Sequence, residues 1–363
     1  MSAVYKKLEE VCEILDSRRV PITAKDRKAG IYPYYGANGL QDYVAEYIFD
    51  DELVLLAEDG GNFGSKERPI AYRVSGKCWV NNHAHVLKAK PFVNVDYLCY
   101  ALMFYDTEGL VNGATRQKLT QAAMRQMVIP YRDMTEQLQI VDEISQVIRL
   151  IDKRKEELAL LDQLVKSRFI ELFASVEDED TLINLCSFID YRGKTPEKAE
   201  SGLPFITAKN VKMHHMSFDT QEFISKETYD KVMTRGFPRI GDVVFTTEAP
   251  LGNVCRIPHI ETEFYIGQRI ITMQTEQLEP AYLEYALSSD EFKRKIAEKS
   301  SGSTVTGIRS KLLEKLSIPV PPRALQKQFA AFVQQTDKSK LAVQKGLQEL
   351  EILKKSLMQQ YFG

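Results

Sequence analysis

The chain has 363 residues, of which 44% are hydrophobic and 27% are charged, and its formal net charge is −2 at pH 7. This length allows two or three domains, and the composition is typical of a globular protein. The near-neutral charge excludes a protein that binds nucleic acid mainly by non-specific attraction to phosphates. A DNA-binding protein of this charge must concentrate its cations on one face or share the phosphate contacts with a partner.

Targeting and cysteine patterns point to the cytoplasm. No apolar run approaches the roughly 18 residues of a membrane span, and residues 1–7 are not followed by an apolar stretch typical of a signal peptide. The five cysteines lie far apart, without a CxxC pair. This spacing favours reduced thiols over disulfides or a zinc site, so we expect a cytoplasmic protein without a membrane segment.

The first half predicts a mixed α/β domain at residues 1–132 and a long helix at 133–174. Residues 52–57 predict a buried strand that ends in the turn 58–62, and residues 97–104 predict a short helix. After Pro130, apolar residues recur every three or four positions through 134–173. This spacing is close to a heptad seam and predicts a helix of about 40 residues.

The second half repeats this order, with a domain at 175–322 and a long helix at 323–363. The acidic run 177–180 is interpreted as a solvated linker. Residues 241–247 predict a buried strand closing on the turn 249–253, and 280–288 predict a short helix. Prolines at 319, 321 and 322 precede an apolar stripe that extends to residue 362.

A shift of 189 positions aligns residues 113–173 with 302–362 without a gap, and thirteen of the 61 pairs are identical. Chance would give roughly four. The identities include a Gly-x-Thr at 113–115 and 302–304, an Ile-Pro at 129–130 and 318–319, and glutamines at 137 and 326. Leucine periodicity alone does not explain such matches. The front parts match loosely, with Leu8 set against Leu185.

This repeat defines the expected fold class, α+β. Two mixed α/β domains with strand-rich cores are separated by a pair of long antiparallel coiled-coil helices, which makes the tandem repeat pseudo-two-fold. At about 1.5 Å per residue, each helix spans about 60 Å. A helix of this length is longer than the diameter of a small domain, so it cannot be packed inside one.

Motifs for chemistry are missing from the sequence. There is no GxxxxGK[ST] loop, no glycine-rich strand–helix turn for a nucleotide or S-adenosylmethionine, and no Asn-Pro-Pro-aromatic motif. His83 and His85 lack a neighbouring acid or cysteine, so ordinary loop histidines are expected and no metal or catalytic site is predicted.

Several local strings resemble type I restriction–modification specificity subunits. The strings at 33–39 (PYYGANG), 49–55 (FDDELVL) and 58–60 (EDG) resemble one type of target-recognition domain. Those at 192–196 (RGKTP), 241–246 (GDVVFT) and 249–253 (APLGN) resemble another. Segments 137–141 and 326–330 resemble the starts of the helices of the family. The chain is short for the family, so each recognition domain is expected to be near minimal.

The resemblance implies a non-catalytic subunit that reads an asymmetric, bipartite site in double-stranded DNA. Two methyltransferase subunits would flank the helices, and restriction and motor subunits would join them. No cofactor is expected in this chain, because S-adenosylmethionine, ATP and Mg²⁺ would be bound by those partners.

Base reading requires bidentate donors and acceptors on loops, with Arg or Lys suited to guanine and Asn or Gln to adenine. In the first domain the candidates are Tyr35, Asn38, Asn62, Lys66, Arg68, Asn82, Arg116 and Lys118. In the second domain they are Arg192, Lys194, Lys209, Asn210, Lys212, Asn253, Gln268, Arg269, Thr304 and Arg309. For each of them, a solvated loop side chain is an equally good interpretation.

Two other functions remain open at this point. A scaffold protein could use the coiled coil to space two interaction domains, which the near-neutral charge favours slightly. An independent nuclease or methyltransferase is disfavoured by the missing motifs.

Overall fold

The computed structural model describes residues 4–113, 116–193, 195–300 and 307–363, and the chain divides into two compact units. Unit 1 comprises Met1–Lys155 with Gln344–Gly363, and unit 2 comprises Glu156–Val343. Each unit therefore combines a mixed α/β body with part of both long helices. The predicted α+β class with two domains in tandem is confirmed.

The elements of the first half follow one another in this order: β1 (Val4–Lys7), α1 (Leu8–Val11), β2 (Cys12–Ile14), a 3-10 turn (Asp16–Arg18), β3 (Ala29–Gly36), β4 (Gly39–Val44), β5 (Phe49–Ala57), β6 (Ala71–Val80), β7 (Ala84–Ala89), α2 (Val95–Met103), β8 (Val111–Asn112), β9 (Lys118–Leu119), α3 (Gln121–Gln126), β10 (Val128–Tyr131) and α4 (Met134–Phe173).

A six-stranded sheet in the order β2-β7-β5-β6-β3-β4 forms the core of unit 1. The predicted strand 52–57 forms the last six residues of β5, and the residues from Leu53 to Ala57 are fully buried because β6 and β7 flank the strand. Helix α2 covers one face with Leu98 and Leu102. It begins two residues before the predicted start, because the Asn94 side chain accepts hydrogen bonds from the N–H groups of residues 96 and 97.

The elements of the second half are β11 (Glu179–Thr181), α5 (Leu182–Leu185), β12 (Ser187–Asp190), β13 (Leu203–Ile206), β14 (Val211–Lys212), β15 (His215–Met216), β16 (Phe223–Ile224), α6 (Lys226–Val232), β17 (Val243–Thr246), β18 (Val254–Arg256), β19 (Tyr265–Ile266), β20 (Ile270–Gln274), α7 (Pro280–Ser288), α8 (Asp290–Lys299), α9 (Ser310–Leu313), β21 (Ser317–Pro319) and α10 (Arg323–Phe362).

Unit 2 has a four-stranded sheet, β12-β20-β17-β18, and a three-stranded sheet, β16-β13-β19. Strand β17 is buried along its whole length, which confirms the centre of the predicted strand 241–247. The interpretation of 177–180 as a solvated linker is wrong for its second half. Glu179 and Asp180 begin β11, which pairs with β21, and Lys295 Nζ lies 2.8 Å from Glu179 Oε1.

The two predicted long helices are confirmed at 40 residues each. In unit 1 the Tyr361 hydroxyl donates to Glu143 Oε2 at 2.7 Å, and Lys155 lies 4.0 Å from Glu351. In unit 2 Lys340 Nζ lies 2.6 Å from Asp162 Oδ1, and Phe169 contacts Phe329 with ring centroids 5.5 Å apart. In both units the residue numbers rise on one helix as they fall on the other. The helices are therefore antiparallel, and Ile140, Ile144 and Ile151 form part of the buried seam of α4.

All five cysteines are buried and unpaired. Within the described residues, no helix is both long enough and apolar enough to cross a membrane.

Candidate nucleic-acid interface

In unit 1 the loop after β5 is clamped to the segment that includes β9. The Leu119 amide donates to the Glu58 carbonyl at 2.7 Å, and the Gly60 amide donates to the Gln117 carbonyl at 3.1 Å. Asp59 and Lys118 form an isolated antiparallel bridge between these two hydrogen bonds. The backbone that presents Arg116 and Lys118 is therefore fixed by strand-like pairing and not left as a free loop.

Both predicted cations of this segment are paired with acids of the loop. Arg116 Nη2 lies 2.6 Å from Asp59 Oδ1, and Lys118 Nζ lies 3.0 Å from Glu58 Oε1. The side chains of Arg116 and Lys118 are 60% and 49% exposed, whereas the two acids are largely buried. The surface at this edge consequently presents cationic donors, and the acids that hold them lie behind it.

Two predicted asparagines lie at the same edge. The Asn38 amide donates from Nδ2 to the Gly60 carbonyl at 3.0 Å, and Asn82 is an exposed turn residue next to His83. The Nδ1 atom of His83 lies 2.6 Å from Asp59 Oδ1. Asn38, Asn82, Arg116 and Lys118 thus come together around one loop, although they span 80 positions of the sequence.

The remaining candidates of unit 1 lie nearby in the chain or behind the edge. Lys66 and Arg68 are exposed in the loop between β5 and β6, where the Asn62 side chain donates to the Pro69 carbonyl at 3.4 Å. Tyr35 is half-buried on β3 against the ring of Tyr72, and burial raises the pKa of its hydroxyl.

A buried polar network lies behind this surface, and the expectation of ordinary loop histidines is wrong for His85. His85 is fully buried on β7, with Nδ1 2.6 Å from Asp16 Oδ2 and Nε2 2.9 Å from the Leu119 carbonyl. The carbonyl can only accept, so Nε2 carries a proton, and Nδ1 faces a carboxylate. Each ring nitrogen thus faces a hydrogen-bond acceptor, and the ring links Asp16 to Leu119.

The acids of this network are stabilised in their charged form. Burial alone would raise the pKa of Asp16, but hydrogen bonds from His85, the Val86 amide and Gln121 outweigh burial and lower it. The same competition lowers the pKa of Glu58, which is bound by Arg19 and Lys118.

Asp16, Glu58 and His85 present ligand atoms within 4.8 Å of one another, a geometry that a metal ion could use. However, Arg19 Nη1 already lies 2.6 Å from Glu58 Oε2, and Lys118 Nζ lies 3.0 Å from the other oxygen. The acids therefore face cations supplied by the protein. The network fixes Leu119, which directly follows Lys118, to the core of the sheet.

Unit 2 builds an equivalent edge after β17. The Thr247 amide donates to the Arg269 carbonyl at 2.9 Å, and the Ile308 amide donates to the Thr247 carbonyl at 3.0 Å. Glu248 forms an isolated bridge with Gly307, and Arg269 Nε lies 3.0 Å from Glu248 Oε1. Gln268, which precedes Arg269, is half-buried.

A second group of candidates in unit 2 is linked through Asp190. Arg192 lies 2.7 Å from Asp190 Oδ2, which also accepts a hydrogen bond from the Ser310 hydroxyl. Arg309, the residue before Ser310, is exposed. Lys209 and Lys212 are exposed in a turn and on β14. Lys194 and Thr304 lie outside the described residues, as does Thr115.

Asn210 and Asn253 use their side chains within the fold. Asn210 is 3% exposed. Its Oδ1 accepts a hydrogen bond from the Thr207 amide, and its Nδ2 donates to the carbonyls of Ser217 and Thr220. The Asn253 amide donates to the Val211 carbonyl at 2.9 Å. The sequence predicted base contacts for both, but these turns need their amides, so we leave both residues out of the interface proposed below.

The family model for the type I restriction modification DNA specificity domain matches residues 3–162 and again residues 184–352. The chain belongs to this family. A putative type I restriction enzyme specificity subunit of Haemophilus influenzae is 26% identical over 360 residues, covering 94% of this chain and 90% of the relative. The MjaVIII specificity subunit of Methanocaldococcus jannaschii is 21% identical, with coverages of 97% and 90%.

Solved structures agree on the fold. The type I restriction–modification S subunit from M. genitalium has a TM-score of 0.61 at 15% identity, with 100% of this chain and 96% of that chain covered. A structure described as concerning complex assembly and conformational transition of the type I R-M system has a TM-score of 0.57 at 18% identity, with coverages of 100% and 98%.

Proposed function

We propose that this chain is the specificity subunit of a type I restriction–modification enzyme and reads an asymmetric, bipartite site in double-stranded DNA. The observation that carries the proposal is the tandem match of one DNA specificity domain to both halves of a chain whose two long helices are antiparallel. A tandem repeat of one DNA specificity domain is suited to a target made of two half-sites, because the DNA backbone has local two-fold axes.

The two half-sites should differ because the two edges differ in their side chains. Unit 1 offers Asn38, Asn82, Arg116 and Lys118 around the loop after β5. Unit 2 offers Gln268 and Arg269 after β19, with Arg192, Arg309 and the exposed lysines at 209 and 212 on neighbouring segments. Lys66 and Arg68 are suited to phosphate contact. A scaffold shared by both units with different side chains supports two readers of different sequence.

The repeat also retains residues that no packing requirement explains. Leu164 and Leu353 are one repeat apart and are 49% and 46% exposed, and both are followed by an exposed Lys and Ser at 166–167 and 355–356. Exposed residues that are the same in the two repeats are suited to two copies of the same partner. We assign these surfaces to two methyltransferase subunits.

The chemistry belongs to the partners in this proposal. The methyltransferase subunits supply S-adenosylmethionine chemistry, and restriction and motor subunits supply ATP and Mg²⁺ chemistry. This chain is the non-catalytic reader that directs both to the site.

The proposal is tested by selection from a pool of random duplex DNA with the full chain and the methyltransferase subunit of its own system. We expect a two-part motif with an unread spacer, and methylation of that same motif. The absence of any enriched motif, together with stable assembly of the proteins, would instead support a scaffold that spaces two interaction domains.

A further inference from the structure

Both units place an acidic residue at the same position relative to the central strand. Asp59 and Glu248 each follow the last residue of that strand by two positions. Asp59 bridges to Lys118, and Glu248 bridges to Gly307. Lys118 and Gly307 are separated by 189 positions, the spacing of the repeat. The two acids are therefore equivalent positions in the two halves.

Each acid contacts an arginine, but the arginines come from different segments. Arg116 lies two residues before the bridge to Asp59, at 2.6 Å, whereas Arg269 comes from the loop between β19 and β20 and contacts Glu248 at 3.0 Å. The arginine side chains are 60% and 53% exposed. The two equivalent acids thus hold two arginines that come from different segments of the chain.

We propose that Arg116 and Arg269 each read a guanine, one in each half-site, and that Asp59 and Glu248 are the positioning residues that orient them. This assignment rests on the proposed function. The guanidinium has five N–H donors, so one that bonds a carboxylate still has donors for the O6 and N7 acceptors of guanine.

The backbone around both pairs is built for a fixed guanidinium. A Cβ on Gly60 would lie 3.3 Å from Arg116 Nε, so the side chain packs across this glycine. The Arg269 carbonyl accepts from both the amide and the hydroxyl of Thr247. An arginine that is already oriented loses less conformational entropy on binding than a free one.

Pairing with an acid also fits the charge of the chain. A neutralised arginine attracts phosphates weakly but keeps the directional hydrogen bonds that distinguish bases. The chain has a net charge of −2 and therefore no strong non-specific attraction to DNA. Arginines paired with acids let it distinguish one base from another without adding such an attraction.

The test is selection from a random duplex pool with the full chain and its methyltransferase partner, comparing wild type with Arg116→Lys and Arg269→Lys. Each variant should lose about 5- to 150-fold of the preference for one guanine, in opposite halves of the motif. Asp59→Asn should weaken the same guanine as Arg116→Lys. It should also steepen the slope of log K for DNA binding against log salt concentration by about 0.9, the amount expected for one more neutralised phosphate, because the arginine is no longer neutralised by Asp59.

Arg125→Lys is the matched control, since Arg125 also faces an acid, Glu9 at 3.6 Å, but on α3. It should leave the motif unchanged. If wild type selects a bipartite motif and both arginine variants keep every guanine preference, this inference is overturned while the proposed function stands. A wild-type protein that selects no motif would overturn the proposed function itself. A loss of salt dependence without a base change would assign the arginines to phosphates and also overturn the inference.

Discussion

The ring of Phe362, at the end of α10, contacts Tyr97 of α2 edge-to-face, with centroids 5.1 Å apart. The repeat reproduces this contact in unit 2, where Phe173, at the end of α4, contacts Tyr282 of α7 at 4.8 Å. The two hydroxyls are also equivalent: Tyr97 donates to the Pro130 carbonyl and Tyr282 to the Pro319 carbonyl. The body of each unit is thus completed by the end of the long helix that belongs to the other repeat.

We predict that Phe362→Ala destabilises unit 1 and Phe173→Ala destabilises unit 2. Phe173 is 4% exposed, so its loss should cost about 3–5 kcal/mol. Phe362 is half-buried and should cost about 2 kcal/mol. Amide hydrogen exchange measures this, with faster exchange expected in α2 for one variant and in α7 for the other.

Ile352→Ala is the control for these variants, since Ile352 also lies on α10 but is 68% exposed. It should change exchange in neither α2 nor α7. Faster exchange in both units from each phenylalanine variant would show that the two contacts are not local.

A second prediction concerns two glutamines, Gln137 and Gln139, which are both matched in the repeat but differ in burial. Gln137 is fully buried: its Oε1 accepts from the Asn94 amide at 2.7 Å, and its Nε2 donates to the carbonyls of Phe92 and Arg132. Gln137→Ala would leave these groups unsatisfied and should cost about 2–3 kcal/mol in urea unfolding.

The neighbouring Gln139 is exposed, so Gln139→Ala should change the free energy of unfolding by less than about 0.5 kcal/mol. Gln326 repeats the buried role in unit 2, where its Oε1 accepts from the Glu279 amide at 2.9 Å. Equal stability of the Gln137 and Gln139 variants would contradict this division of roles.

A third prediction concerns acid. The pKa values of Asp16 and Glu58 are lowered in the folded state, so the unfolded chain binds protons first as the pH falls. Their contribution is complete above the unfolded values near pH 4, and it is lost as the pH falls through the lower folded values. The free energy of unfolding of wild type should fall in this window.

Asp16→Asn should flatten this dependence and also destabilise unit 1 at neutral pH by about 1–3 kcal/mol, because the fully buried His85 loses the carboxylate oxygen that lies 2.6 Å from its Nδ1. Asp50→Asn, at an exposed position of β5, is the control and should do neither. A wild-type-like acid transition in the Asp16 variant would exclude this network as its cause.

A fourth prediction concerns assembly. Leu164→Glu or Leu353→Glu should each remove one of two bound methyltransferase subunits, and the double variant should remove both, as measured by native mass spectrometry. Leu160→Glu is the matched control: Leu160 is 58% exposed, but its counterpart in the repeat is already Glu349. Loss of both subunits from a single variant would contradict two equivalent docking surfaces.

The helices and central strands were predictable because local patterns determine them. The prolines before each helix and the apolar periodicity within it predicted both long helices. The gapless repeat predicted that both helices end at equivalent residues, Phe173 and Phe362. The front parts of the halves were harder to align. The sequence set Leu8 against Leu185, whereas both Leu8 and Leu182 begin a four-residue helix after an equivalent strand. An offset of three residues in such short elements leaves no signal in the sequence.

The network around His85 could not be predicted, because Asp16 and Glu58 reach it through the order of the sheet, in which β7 lies between β2 and β5. Residue type alone also could not show that the Asn210 amide closes a turn. Conversely, the pairing of Arg116 with Asp59 depends on the bridge between residues 59 and 118, a contact across 59 positions.

The most direct test of the central claim, that the two halves read separate half-sites, is the methylation motif of a chimaera. Residues 1–132 are replaced by the matching domain of another family member with a known site, and methylated positions are mapped in bulk DNA by single-molecule sequencing. The account predicts that one half of the motif changes to that of the donor protein. The other half of the motif, and the methylated position within it, should be retained. A chimaera that folds and methylates but keeps the whole original motif, or changes both halves, would contradict it.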